Sequence, residues 1–307
     1  MTYETQQVQP KKILVVGLVR NCASKIKEDV LRLKSALGGV EQLHWLLIES
    51  DSTDTSLISL AELGQEIAHF RHISLGTLRT TMPLRTQRIS HCRNEYVKEI
   101  RHNAAYKDID YVVISDFDGL NTHISKSGFD SCWARDDWDM CAANQRGPYY
   151  DIWALRHPYW SPNDCWAQYK FMHTYESNTE KNLFKSVYSR MIKIPESSDW
   201  IEVDSAFGGL AIYKKKLFDL GEYVGLTETG DEFCEHVHFH SKLKAAGAKI
   251  FINPQLINAA YTEHSERLRL RQSVVRKSQA LMKQTLLALL GNDGFSMLKN
   301  KLKPKQP

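Results

Sequence analysis

No stretch of this 307-residue chain approaches the roughly 20 uninterrupted apolar residues needed to cross a bilayer as a helix, so no spanning segment is expected. The start, Met1 to Lys12, is polar and lacks the apolar run of a signal peptide, which makes the cytoplasm the expected compartment. Cys-x-x-Cys pairs are also missing. Cys22, Cys92, Cys132, Cys141, Cys165 and Cys234 are scattered, which argues for individual reduced thiols and against a disulfide framework or a cysteine zinc site. No charge of one sign dominates the whole: the net charge is +4, with 42% hydrophobic and 25% charged residues, as in a soluble globular protein. The length fits one large α/β domain with an appendage.

What is present centres on Tyr111-Val112-Val113-Ile114-Ser115-Asp116-Phe117-Asp118-Gly119. The apolar run predicts a strand buried on both faces, as in sheets flanked by helices. It ends in two carboxylates one residue apart and a glycine that permits a sharp turn. Asp116 and Asp118 read in two ways. They form a polar turn after a core strand, or they are hard oxygen ligands for Mn²⁺ or Mg²⁺, cations that complete their shell with substrate phosphates.

Earlier elements alternate strand and helix. Lys12 to Gly17 predicts a first buried strand, and Ser24 a cap for a helix carrying Ile26, Val30, Leu33 and Leu37. Leu43 to Ile48 predicts a second strand, ending in the polar cluster Glu49-Ser50-Asp51-Ser52-Thr53-Asp54-Thr55 before another helix. A third strand is expected near His69 to Ser74, then a helix bearing Arg85, Arg88 and Arg93, with Asn94 beside them. This order predicts a mostly parallel central sheet with ligands beyond the carboxyl ends of its strands, so Glu49, Asp51, Asp116 and Asp118 would share a rim. The arginines are either a solvated basic face or phosphate ligands, guanidinium matching phosphate oxygens in forked geometry.

Past Gly119, Met140 to Asn144 is a candidate edge strand and Tyr149 to Arg156 another candidate strand. Residues 157 to 200 are rich in aromatics, including Trp160 and Trp166, which either contact sugar rings or pack an excursion lacking its own core. Trp200 to Tyr213 begins with strand alternation and contains Gly208-Gly209, a close approach or a bulge. Asp231 to Ala246 predicts a helix in which His236 and His240 point inward, as satisfied core histidines or as a metal pair. Lys249 to Ile252 predicts a last strand before Asn253-Pro254. From Ser265 to Pro307 ten Lys or Arg face only Glu266 and Asp293, so this helical extension is strongly basic, while the body is mildly acidic. An apolar-faced basic segment either lies on an anionic membrane surface or packs on the domain.

Taken in order, Glu49 to Thr55, Arg88-Ile89 with Arg93-Asn94, Asp116-Phe117-Asp118, Tyr149-Tyr150-Asp151 with Ala154-Leu155-Arg156, Phe207 to Tyr213, and Cys234-Glu235-His236-Val237 before Asn253-Pro254 give the chain its likeness. It resembles nucleotide-sugar glycosyltransferases of the A-type, Rossmann-like fold, and within them the fungal capsule α-1,3-mannosyltransferase family and its bacterial relatives. The resemblance covers about residues 12 to 264 and implies a catalytic domain there, with residues 265 to 307 as a basic extension. It implies Glu49 and Asp51 near the nucleotide, Arg88, Arg93 and Asn94 near the diphosphate, and Asp116, Asp118 and His264 at Mn²⁺ or Mg²⁺. Acceptor groups would be Asp151, Gly208, Gly209 and His236. Asp231, Glu232 or Glu235 would supply the base of an inverting enzyme; in a retaining enzyme, as the capsule mannosyltransferases are, they bind instead.

The implied donor is a GDP- or UDP-linked sugar. The implied acceptor is a saccharide or lipid-linked saccharide in bacterial surface polysaccharide or lipopolysaccharide synthesis, with no nucleic-acid partner. Nucleotidyl transfer, sugar-nucleotide hydrolysis by the same carboxylates, and ligand binding without turnover are the alternatives.

Overall fold

The computed structural model describes residues 11–269 and Thr285. The chain divides into a unit ending at Thr262 and a second beginning at Glu263. In the first, apolar runs become strands β1 (Lys12–Val19), β2 (Gln42–Glu49), β3 (Phe70–Ser74), β4 (Tyr111–Ser115), β5 (Met140–Gln145), β6 (Ile201–Glu202), β7 (Leu210–Lys214) and β8 (Ile250–Ala259). The helices are α1 (Ile26–Ala36), α2 (Ser56–Glu66), α3 (Arg85–His102), α4 (Lys126–Trp133), α5 (Cys165–Tyr175), α6 (Thr179–Ser186) and α7 (Glu235–Ala245).

All eight strands form one sheet in the order β3-β2-β1-β4-β7-β5-β8-β6. Pairings β1–β2, β1–β4, β2–β3 and β5–β8 are parallel; β7 runs antiparallel to β4 and β5, and β6 antiparallel to β8. Alternate residues of β1 explain why it has no polar side. Ile13 and Val15 join the cluster containing Val30, Leu33, Trp45, Leu60 and Phe129, while Leu14 and Val16 are equally buried outside it. The sheet is therefore covered on both faces. No helix among the described residues is long and apolar enough to cross a membrane.

Five local expectations are corrected. Met140 to Asn144 is not an edge strand: β5 lies inside the sheet, paired with β7 on one side and β8 on the other. Tyr149 to Arg156 is not a strand, although Tyr149, Ile152, Ala154 and Leu155 are buried: Ile152 to Ala154 form a turn in which the Ala154 amide donates to Asp151 Oδ1 at 3.4 Å. The last strand does not stop at Asn253-Pro254. It runs to Ala259 because Pro254 sits in a bulge, where β8 passes from Ile252 to Ile257 while β5 moves from Ala142 to Asn144, and Asn144 Nδ2 donates to the Pro254 carbonyl at 3.1 Å. Helix α7 begins at Glu235, not Asp231, since Thr227 to Asp231 form their own hydrogen-bonded turn. Helix α1 begins at Ile26 with Lys25 at its cap position and no side-chain cap, so Ser24 is not the cap.

In the second unit, the described residues form a turn leading into a helical segment at Glu266–Arg269, where Arg269 pairs with Glu266 at 3.1 Å. The expectations placed on residues 270 to 307 lie outside the described residues.

Candidate active site

Strand order reverses around β1, with β2 on one side and β4 on the other, which opens a crevice beyond the carboxyl ends of the parallel strands. The antiparallel β7 begins at this same rim, because Leu210 pairs with Ser115. The Asp116 amide donates to the Gly209 carbonyl at 2.9 Å, so the end of β4 is fastened to the glycine pair. Phe117 is 1% exposed and belongs to the core, which leaves Asp116 and Asp118 at the rim, Asp116 partly covered and Asp118 exposed. The turn is braced from below by Asp29, whose Oδ2 accepts the Gly119 amide at 2.8 Å.

Four carboxylates and one guanidinium share this rim. Withdrawal from water, then the charge of Asp118, push the Asp116 carboxyl up to about 8; Asp151 and Glu235 act in the same direction and Arg93 opposes them. Asp151 Oδ2 accepts the Gly208 amide at 2.9 Å. Arg93 crosses from α3 to α7, its Nε donating to Glu235 Oε1 at 2.9 Å and its Nη1 to the Tyr96 hydroxyl at 3.0 Å. Its guanidinium lies between the Phe207 and Tyr223 rings, 5.4 and 5.5 Å from their centres. Five of the expected residues, Asp116, Asp118, Asp151, Glu235 and Arg93, thus act on one another.

Glu49 and Asp51 gather at the end of β2. Glu49 accepts from the Ser52 amide at 2.9 Å and from the Ser74 hydroxyl. Asp51 adopts a left-handed backbone (φ 59°), its Oδ1 accepts the Arg79 amide at 2.9 Å, and its buried Oδ2 has no hydrogen-bond partner, with Arg88 Nε at 3.6 Å. Arg88 meanwhile donates through Nη1 to the Met82 and Pro83 carbonyls, both at 2.7 Å. Both arginines expected at a diphosphate are therefore engaged by the protein itself, because each lies beside a carboxylate or carbonyl group that holds it at the wall.

The other expected residues are placed as follows. Asn94 clamps the Tyr223 backbone, donating to its carbonyl at 2.9 Å and accepting its amide at 2.8 Å. Glu232 accepts from the Thr86 amide and hydroxyl at 3.0 and 3.2 Å, which ties its loop to the start of α3. Asp231 is exposed and pairs with Lys170 at 3.4 Å. His240 is a satisfied core histidine, with Ser205 Oγ at Nδ1 and Tyr213 Oη at Nε2, each 2.8 Å away. His236 is 3% exposed, stacked 4.1 Å from Phe207, with neither ring nitrogen hydrogen-bonded; burial, Arg93 and His240 hold it neutral, well below the usual histidine range. His264 lies exposed in the second unit, its Nε2 3.5 Å from Glu263. Trp160 packs against Tyr149 and donates to the Arg190 carbonyl, whereas Trp166 is 39% exposed.

Sequence reasoning passed over Asp29, although an aspartate among Ile26, Val30 and Leu33 on the buried face of α1 is a visible signal. It assigned no role to Tyr150, whose hydroxyl would meet a side chain built on Gly209 at 2.9 Å, and passed over Lys25, whose ammonium stands 3.1 Å from one built on Gly119. A depression of about 630 Å³ between Lys11, Asp110, Tyr111 and Lys214 opens at the opposite end of β4, far from these acids.

A divalent cation suits this donor set. Asp116 is crowded by three like charges against one guanidinium, and a hard cation offsets such crowding. No group of three or more His, Cys, Asp or Glu side chains forms a protein-only cage among the described residues. Asp116 and Asp118 would hold the ion and leave the remaining positions to ligand oxygens, the usual arrangement for Mg²⁺-like ions at phosphates.

No protein-family model and no curated protein sequence matches the chain. Among solved structures, it is similar to the mannosyltransferase PcManGT from Pyrobaculum calidifontis in complex with GDP-Man and Mn²⁺ (16% identity, 99% of this chain and 70% of that one, TM-score 0.48). It is also similar to S. aureus TarS 1-349 in complex with UDP-GlcNAc (14%, 83% and 60%, 0.49). A third is glucosyl-3-phosphoglycerate synthase from Mycobacterium tuberculosis in complex with Mn²⁺, UDP and phosphoglyceric acid (13%, 81% and 67%, 0.39).

Proposed function

We propose that the protein is a metal-dependent glycosyltransferase that moves a hexose from a nucleoside-diphosphate sugar to a saccharide acceptor. The observation carrying this reading is the gathering of Asp116, Asp118, Asp151 and Glu235 beyond the carboxyl end of β4, beside the point where strand order reverses, where burial and Asp118 push the Asp116 carboxyl up. Such a site favours an added cation, and a cation beside a diphosphate favours its departure as charge develops on it.

In this reading, Asp116 and Asp118 would hold Mn²⁺ or Mg²⁺, and the ion would supply charge neutralisation for the diphosphate leaving group. Glu49 and Asp51, at the end of β2, face the nucleotide. Arg93 holds Glu235 in place through its Nε while limiting the repulsion on Asp116. Asp151 and the Gly208-Gly209 turn border the acceptor, with Glu235 and the neutral His236 behind them. A GDP- or UDP-linked donor, retention of configuration and a role in surface polysaccharide assembly complete the proposal.

Transfer is tested by offering nucleotide sugars and saccharide acceptors with Mn²⁺ and following glycoside formation. Asp118→Ala is expected to abolish glycoside formation while leaving the thermal midpoint near that of the parent, because Asp118 is exposed. Full turnover by this variant would remove the metal assignment. Release of free sugar or sugar phosphate without glycoside would point to hydrolysis or nucleotidyl transfer.

A further inference from the structure

Behind the acidic rim lies a row of three amides, Gln145, Asn258 and Asn121, each 0% exposed. Gln145 is the last residue of β5, Asn258 is near the end of β8, and Asn121 follows the Asp118-Gly119 turn. Their hydrogen bonds run in one direction. Gln145 Nε2 donates to Asn258 Oδ1 at 3.0 Å, and Asn258 Nδ2 to Asn121 Oδ1 at 2.9 Å. Asn121 Nδ2 then donates to Ser115 Oγ at 2.9 Å and to the Asp116 carbonyl at 2.8 Å. A head-to-tail series of this kind polarises along its length, and a buried amide without its partner is costly, so the row resists displacement.

The same row grips the glycine turn. The Gly208 carbonyl accepts from Asn258 Nδ2 at 2.7 Å and from Gln145 Nε2 at 3.2 Å, while the Gly208 amide donates to Asp151 at 2.9 Å. The backbone of Asp116 and the side chain of Asp151 are therefore held by one set of bonds. None of the three amides reaches the rim.

Building on the transferase reading above, we infer that Asn121, Asn258 and Gln145 are positioning residues that fix the cation-side carboxylate Asp116 relative to the acceptor-side carboxylate Asp151. Reaction geometry tolerates little error, and a displacement of about 1 Å costs roughly 100-fold in rate.

Two variants test this, Asn121→Ala and the milder Asn258→Ser, each compared with the parent below its thermal midpoint. The first readout is Mn²⁺ binding by calorimetry in the presence of GDP or UDP, without turnover. The row predicts binding weakened by about tenfold in Asn121→Ala. The second is the split between rate and affinity: transfer kcat falls roughly 10- to 100-fold in Asn258→Ser while donor KM moves less than about threefold, and a larger share of donor ends as free sugar. Variants that lose thermal stability but keep parental Mn²⁺ binding, kcat and product partition would overturn the inference, leaving the row a mere scaffold. A parent that binds Mn²⁺ with nucleotide yet makes no glycoside would overturn the transferase reading instead, and the Mn²⁺ titration would still decide the role of the row.

Discussion

Asp116 is a carboxyl whose charge the fold opposes through burial and through Asp118. Folding raises it from 3.8 to about 8, so between these values the folded chain holds a proton that the unfolded chain has lost. The stability of the cation-free protein is therefore expected to fall as pH rises from about 4 to 8, this group's contribution being lost through its raised value. Thermal melts across this window, with and without Mn²⁺, check the point: the gain from Mn²⁺ should grow toward pH 8. Asp116→Asn should flatten both trends, and an unchanged pH slope in that variant would reject the assignment. Arg93 presents the opposite case, a buried cation with a buried partner. Arg93→Met leaves Glu235 unpaired and is expected to cost about 3–5 kcal/mol in chemical denaturation. A loss below about 1 kcal/mol would mean that Glu235 finds water instead.

The elements carry the site through two turns rather than through any one helix. At the turn into β7, Gly209 has φ 84°, and a side chain there would come within 2.2 Å of Leu120 and 2.9 Å of the Tyr150 hydroxyl. Gly209→Ala is expected to cost about 1–3 kcal/mol from backbone strain alone, plus the clash, and to reduce turnover through the Asp116 amide that Gly209 accepts. Denaturation midpoints and initial rates on the same preparation would show it. Strands β1, β2 and β4 were legible because each is an apolar run of strand length bounded by polar turns. The path of β8 through Pro254 was not, since proline signals an ending and only the bulge opposite β5 accommodates it. The Tyr149 to Arg156 segment misled for the opposite reason: a buried turn around Asp151 is as rich in apolar side chains as a strand.

At the scale of the whole molecule, local sequence singled out polar residues that the fold gathers beyond the strand ends, but not how they meet. Asp116-Phe117-Asp118 is contiguous and was visible at once. Arg93 and Glu235 are 142 positions apart, and nothing in either segment announces their ion pair. The amides of Asn121, Gln145 and Asn258 look like ordinary loop and strand-end residues until the sheet brings three carboxyl ends together. The basic stretch beyond Arg269 carries its own expectation: deleting residues 270 to 307 should weaken binding to anionic liposomes more than it slows turnover on a soluble acceptor. Equal losses in vesicle sedimentation and in rate would make that stretch structural.

The central claim is that Asp116 and Asp118 bind a cation together with a nucleoside diphosphate. It is tested most directly by thermal shift with UDP, GDP, CDP and dTDP, each with and without Mn²⁺, on the parent and on Asp118→Ala. Ligands that bind only the folded state raise its midpoint by mass action. The account predicts that GDP or UDP stands out, only when Mn²⁺ is present and only in the parent. A nucleotide shift indifferent to both Mn²⁺ and Asp118, or no shift with any nucleotide, would contradict it.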